Sequence, residues 1–165
     1  DDGSLTPEQQ EVFMTLDIQF LSDYVEIRQL NALYNRLADS GDGDAYAQLY
    51  TDDGEFHIVG NQTYCGRKEI ASAANATKVT VHVTTEPEIE IDGDSASQRL
   101  RMLTVYRAED LSKNDFVASG WYLDELKRTP DGWRYYRRRV ELDLDINAVF
   151  EKMAVTDSFA ALVKK

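Results

Sequence analysis

Residues 79–91, 95–107, 116–128 and 133–144 form four consecutive stretches in which apolar and polar side chains alternate. A period of two belongs to strands, because successive side chains of an extended chain leave opposite faces. The breaks between the stretches carry turn chemistry: Asp92-Gly93-Asp94, the polar run AEDLSKND, and Thr129-Pro130-Asp131-Gly132. Long strands joined by short connections pair antiparallel in chain order, so the second half of the chain reads as a meander. Such a sheet needs something to cover one of its faces.

The first half supplies the cover. SLTPEQQEVF reads as a helix start, with Thr6 as N-cap, Pro7 at the first helical position and Gln9 closing a capping box. From Asp23 to about Asp39 the apolar residues Val25, Ile27, Leu30, Leu33, Tyr34 and Leu37 fall at helical spacing. Ser40-Gly41-Asp42-Gly43 breaks that pattern. A short helix over 44–50 follows, with Ala45, Leu49 and Tyr50 on its apolar side. Then come the acidic turn Asp52-Asp53-Gly54, a strand to Val59, and a short helix opened by Gly66 in CGRKEIASAANAT. The segment 146–165 reads as a helical tail, rich in apolar side chains such as Phe150, Phe159 and Leu162. Helices first and a meander afterwards make an α+β chain, and a sheet bent over a helix leaves a concave space suited to a small ligand.

A chain of 165 residues is expected to be one domain, 1–165, with that tail appended. The net charge of −12 argues against nucleic acid, whose phosphates would be repelled. No apolar run approaches the ~20 residues that span a bilayer. The single Cys65 excludes an internal disulfide. With an acidic, polar start, the expectation is a cytoplasmic protein. Neither a zinc-type Cys/His cluster nor a glycine-rich phosphate loop is present, so no metal and no cofactor are expected.

Two residues carry recognisable chemistry. Asp39 closes the helical pattern, and His82 stands in VTVHVTTEP. A neutral imidazole is the commonest general base near neutral pH, and a carboxylate on its other ring nitrogen fixes the tautomer and steadies the imidazolium. Each also has a plainer reading. Asp39 could simply begin a turn. His82 shares with Thr80 and Thr84 the face opposite Val79, Val81 and Val83, and a polar face is usually solvated. Tyr34 precedes Asp39 by five positions, about 140° round an ideal helix, so both face one cavity only if the helix ends or bends near Gly41. Tyr34 reads either as a donor to a carbonyl or leaving oxygen or as a core tyrosine. His57 reads as structural or as pocket rim. Leu100, Met102, Thr104 and Tyr106 form one alternate set, Trp121 and Tyr122 point to opposite faces, and Tyr136, Arg138 and Val140 share a face. Tyr50, Phe56, Tyr106, Tyr122 and Arg138 are the candidate substrate-binding residues, and their aromatic character favours an aromatic or cyclic ligand.

The stretches IRQLNALYNRLADSGDGDAYAQLYTDDGEF, YCGRKEIASA, VHVTTEPEIEIDGDSA and YLDELKRTPDGWRYYRRRVELD cover most of residues 24–145. They resemble the nuclear-transport-factor-2-like superfamily and, within it, the SnoaL-like lyases and isomerases such as scytalone dehydratase, hexachlorocyclohexane dehydrochlorinase and bile-acid 7α-dehydratase. The resemblance implies a cone-shaped α+β barrel that assembles as a homodimer or homotrimer. It also implies that Asp39 pairs with His82, that Tyr34 takes the place of the bile-acid enzyme's tyrosine, and that Arg138 falls near a pocket position of the dehydrochlorinase. The implied activity is that of a cofactor-independent lyase. It would remove water, or another small leaving group such as formaldehyde from a lignin-type diarylpropane, from a hydrophobic aromatic or cyclic molecule. Alternatives on the same fold are an isomerase or cyclase, and the non-catalytic small subunit of a ring-hydroxylating dioxygenase. The base of ketosteroid isomerase would fall on Ile58, which cannot accept a proton. The Asp-Arg-Asp set of limonene epoxide hydrolase has no convincing equivalent, Arg101 and Asp124 being the nearest approach.

Overall fold

The computed structural model describes residues 18–74, 80–107, 114–145 and 148. The expected helix start at Thr6, Pro7 and Gln9, the residues after Ala74 in the expected short helix, most of AEDLSKND and all of the tail except Ala148 lie outside the described residues.

Helix α1 (Ile18–Ser40) buries Ile27, Leu30 and Tyr34 of the sequence pattern, together with Ala38, whereas Val25 is 52% exposed. It ends where expected. The Ser40 hydroxyl donates to the Leu37 carbonyl and accepts from the Asp42 N–H. Gly41 then takes the left-handed backbone at φ 69° that closes helices. Helix α2 (Gly43–Ala47) starts from Asp42, whose carboxylate accepts from the Ala45 N–H at 3.0 Å. Its buried side is Tyr46 and Ala47, followed by Leu49 and Tyr50, while Ala45 is only half-buried. Helix α3 (Gly66–Ala74) buries Ile70, Ala71 and Ala74.

The strands are β1 (Tyr50–Ile58), β2 (Thr63–Cys65), β3 (Thr80–Thr84), β4 (Glu88–Asp92), β5 (Ser95–Arg107), β6 (Asn114–Thr129) and β7 (Gly132–Leu142). They form a seven-stranded sheet in the order β2-β1-β7-β6-β5-β3, with β4 also on β5. Among the described residues only the β1–β7 pair is parallel, so the α+β sheet is mixed, curved over the helix and not closed.

Three local expectations are corrected and one strand is added. The stretch 79–91 is two strands, because Thr85, Glu86 and Pro87 interrupt it and proline has no N–H to give to a ladder. Asp52-Asp53-Gly54 is not a turn but part of β1, where the pairing with β7 slips between Tyr50 and Glu55. Strand β2 was not read from the sequence. Tyr136 does not share the inner face of Arg138 and Val140: a bulge opposite Glu125 and Leu126 makes it the extra residue of β7. Tyr135 is therefore the buried tyrosine, and Tyr136 lies half-buried outside, under Lys127 and Arg137.

The far end of α1 is bolted to the β6–β7 hairpin. Buried Asp23 accepts from both terminal nitrogens of Arg128 at 2.6 Å and from the Trp133 indole N–H at 3.1 Å. Glu26 accepts from the Trp133 main-chain N–H at 2.7 Å. Gly132, at φ 97°, lets that carboxylate in, since a Cβ there would collide with Glu26 Oε1. This is the physical content of the DGW motif.

Candidate active site

The near end of α1 meets β3. Asp39 Oδ1 accepts from His82 Nδ1 at 2.7 Å and from the His82 main-chain N–H at 2.9 Å. One carboxylate oxygen thus holds both the ring and the strand that carries it. The His82 side chain is 10% exposed and that of Asp39 25%. Asn35, one turn earlier, donates to Thr84 Oγ1 at 3.0 Å and ties the same strand to the helix. These bonds explain a reversal of the sequence reading of β3. The face bearing Thr80, His82 and Thr84 turns inward, while Val83 is 51% exposed. An ionised carboxylate only accepts, so Nδ1 carries a proton, and in the neutral ring Nε2 is the nitrogen with the free lone pair.

Tyr34 approaches the same imidazole from another side. Its ring, 2% exposed, stands edge-on to His82 at a centroid distance of 6.5 Å. The helix ends at Ser40, just before Gly41, and both side chains meet His82, Asp39 through Nδ1 and Tyr34 edge-on to the ring. The Tyr34 ring packs against those of Tyr46 and Tyr122 at centroid distances of 4.9 and 5.6 Å. Tyr46 and Tyr50 hydroxyls lie 3.4 Å apart. Burial pushes the phenols of Tyr46, Tyr50 and Tyr122 well above their usual range, so they stay protonated hydrogen-bond donors at any working pH.

Beneath this cluster lies a charge that sequence reasoning placed differently. Arg138 is 1% exposed, and its guanidinium binds Asp124 through Nε at 2.8 Å and through a terminal nitrogen at 2.6 Å. It stacks on Tyr34, Tyr122 and Tyr135 at 3.9–4.2 Å. Burial opposes its charge, but Asp124 and the surrounding groups outweigh that and hold it fully cationic. Asp124 also accepts from Gln98 at 2.7 Å, Gln98 exchanges bonds with Asn31, and the Tyr135 hydroxyl donates to Asn31. The only sequence signal for this network was the alternation that puts Asp124 on the Tyr122 face. Arg101, paired with Asp124 in the epoxide-hydrolase comparison, instead binds Asp143 on the outer face.

Of the other candidates, Tyr50 is sealed in the core and Tyr122 is buried against Tyr34. Phe56 is half-buried and stacked on Tyr64. Tyr106 stands on β5 opposite Thr80, its side chain outside the described residues. His57 is half-buried on β1, between Thr63 and Arg139 in the ladder and away from the Asp39–His82 pair. An open groove of about 600 Å³ lies at the other end of α1, between Phe20, Ile91 and the Asp23–Arg128 pair. No three His, Cys, Asp or Glu side chains converge as metal ligands among the described residues. No helix among them is long and apolar enough to cross a membrane.

A model of the SnoaL-like domain matches residues 19–139. The chain belongs to the SnoaL-like domain family. The uncharacterized protein Rv2910c of Mycobacterium tuberculosis is 27% identical over 74% of this SnoaL-like chain and 87% of its own length. Rv3472 of Mycobacterium tuberculosis, of unknown function, superposes with a TM-score of 0.73 at 26% identity, covering 91% of this chain and 90% of its own. An NTF2-like protein with a cystatin-like fold from Novosphingobium aromaticivorans does so with 0.70 at 28% identity, over 90% and 96% of the two chains. Two further Novosphingobium aromaticivorans structures share the fold at lower identity. A putative scytalone dehydratase has a TM-score of 0.67 at 19% identity, over 75% and 86% of the chains. The beta subunit of a putative aromatic-ring-hydroxylating dioxygenase has 0.65 at 17%, over 78% and 93%.

Proposed function

We propose that this SnoaL-like protein is a cofactor-independent lyase. His82 is the general base, Asp39 its partner and Tyr34 a hydrogen-bond donor. The observation that carries the reading is Asp39 Oδ1 bound to His82 Nδ1 at 2.7 Å in a largely buried setting. Nε2 takes a proton from a substrate carbon, and the C–H electron pair becomes the new double bond. The C–O bond to the leaving group breaks with its electrons, and the departing oxygen takes a proton from the imidazolium or by way of Tyr34, so that water is released. Asp39 stabilises the imidazolium between these steps without being protonated itself. Acting instead on the hydroxymethyl O–H of a diarylpropane diol, the same base would let that electron pair form the C=O of formaldehyde as the C–C bond breaks, with the C–C electrons forming the new C=C and expelling the neighbouring hydroxyl, which leaves as water with the proton from the imidazolium. The aromatic walls suit a hydrophobic, aromatic or cyclic substrate. Homodimers or homotrimers in the cytoplasm are the assembly and location we assign. A non-catalytic dioxygenase subunit has no use for a buried, correctly tautomerised base.

A panel of cyclic and aromatic β-hydroxy carbonyl compounds and diarylpropane diols, screened by mass spectrometry for loss of water or formaldehyde, tests this. His82→Ala and Asp39→Asn should each lower kcat by several orders of magnitude, and the double variant should be little worse than either alone. A His82→Ala protein that keeps most of its activity overturns the mechanism.

A further inference from the structure

Thr104 stands beside His82 and takes no part in the mechanism so far. His82 on β3 and Thr104 on β5 are direct cross-strand partners, so their side chains share the inner face. Continuing across to β6, the next residue in that row is Ala118, whose side chain ends at Cβ. The ladder slips at this point, between Thr104 and Val105, because Val117 is an extra residue in β6. Bulges of this kind re-aim side chains and concentrate beside sites.

Thr104 is 6% exposed, yet it carries a hydroxyl among Met102, Ala118 and the imidazole row. No described group takes or gives a hydrogen bond to it. It is not a sealed orphan either: the fully enclosed side-chain polar atoms without a partner among the described residues are Asn35 Oδ1 and Thr51 Oγ1. The hydroxyl therefore lies on the same inner row as the His82 imidazole. A hydroxyl on a largely buried row with no protein partner is free to bond a ligand, and that bond is worth more there than in bulk water.

We propose that the Thr104 hydroxyl is a substrate-binding group that holds an oxygen of the ligand over His82. The ligand class is then an oxygenated ring compound, such as a phenol, a cyclic alcohol or a cyclic ketone, and not a bare hydrocarbon or a halocarbon. A threonine hydroxyl both donates and accepts, so it fits either a carbonyl or a hydroxyl oxygen. A site built around one such bond rejects the analogue that lacks the oxygen. The inference rests on the reading of Asp39 and His82 as the reacting pair, and adds the group that selects what they act on.

p-Cresol and p-xylene are probes of matched shape that differ by one hydroxyl in place of a methyl. Each is titrated into the full chain while the ring protons of its two histidines, His57 and His82, are followed by NMR, with His57→Gln assigning them. p-Cresol should shift the His82 signals and bind about tenfold more tightly than p-xylene. Thr104→Val should reduce that preference to about twofold or less with p-xylene affinity unchanged, and Thr104→Ser should retain it. Thr104→Ala serves in place of the valine variant if circular dichroism shows that protein unfolded. Full preference for p-cresol in either variant, with His82 still responding, overturns the role of Thr104 and leaves the dyad standing. Failure of both probes to move the His82 signals overturns the pocket and Thr104 together.

Discussion

Asp39 has two tasks in one oxygen, and they can be separated by substitution. In Asp39→Asn the amide oxygen can still accept from the His82 main-chain N–H, so β3 should stay docked while the charge is lost. In Asp39→Ala both bonds of 2.7 Å and 2.9 Å disappear. We expect similar losses of kcat in the two variants. Only the alanine variant should also lose stability, by about 1–2 kcal/mol, as measured by urea unfolding. Arg138 poses the opposite problem, a cation buried with its partner. Arg138→Met leaves the Asp124 carboxylate sealed and unpaired, at an expected cost of about 3–5 kcal/mol. The double variant Arg138→Met/Asp124→Leu should recover much of that stability, since an apolar pair removes both desolvation costs. A double variant no more stable than the single one would show that Gln98 and Asn31 depend on the charge as well.

At the scale of elements, α1 is held at its two ends by different chemistry. Asp39 and Asn35 fasten β3, which among the described residues pairs only with β5. Asp23 and Glu26 fasten the β6–β7 hairpin. The hydrogen bonds from Arg128 draw the Asp23 carboxyl down to about 2 from its ordinary 3.8, against the effect of burial. A depressed carboxyl pKa contributes stability that is complete above the unfolded value and lost as pH falls through the folded value. The clamp should therefore hold above about pH 4 and release between about pH 4 and pH 2. Over that window wild type should lose more unfolding free energy in urea than Asp23→Asn, which has no proton to take up there. Equal acid sensitivity in the two proteins would mean that other carboxylates govern the loss.

For the whole molecule, the open side of the sheet is the decisive feature. The sheet is not closed, and among the described residues β3 forms its edge beside His82. Elimination chemistry gains from excluding water. Residues 146–165 carry Val149, Phe150, Met153, Phe159, Leu162 and Val163, and the last three recur at helical spacing. Removing 146–165 should raise KM or shift the assembly state seen by light scattering while leaving the circular dichroism of the sheet intact. Wild-type kinetics and an unchanged assembly in the truncated chain would reduce the tail to packing.

Period and punctuation are local properties, and they were legible without coordinates. The α1 stripe, the Gly41 stop, the meander from β5 to β7 and the hairpin turns all follow from side-chain alternation and from residues that suit turns. The nearness of Asp39 and His82 was legible only through family resemblance, because nothing in the spacing of residues 43 apart brings them together. The tertiary structure decided the rest. It turned the polar face of β3 inward, because Asp39 satisfies that strand from the helix side. It exchanged Tyr136 for Tyr135 through one bulge, since a single extra residue reverses every face beyond it. It paired Arg138 with Asp124 rather than leaving it free for a ligand, and it set Thr104 opposite His82. Cross-strand register fixes which distant side chains share a row, and register is set by the assembled sheet, not by any one strand.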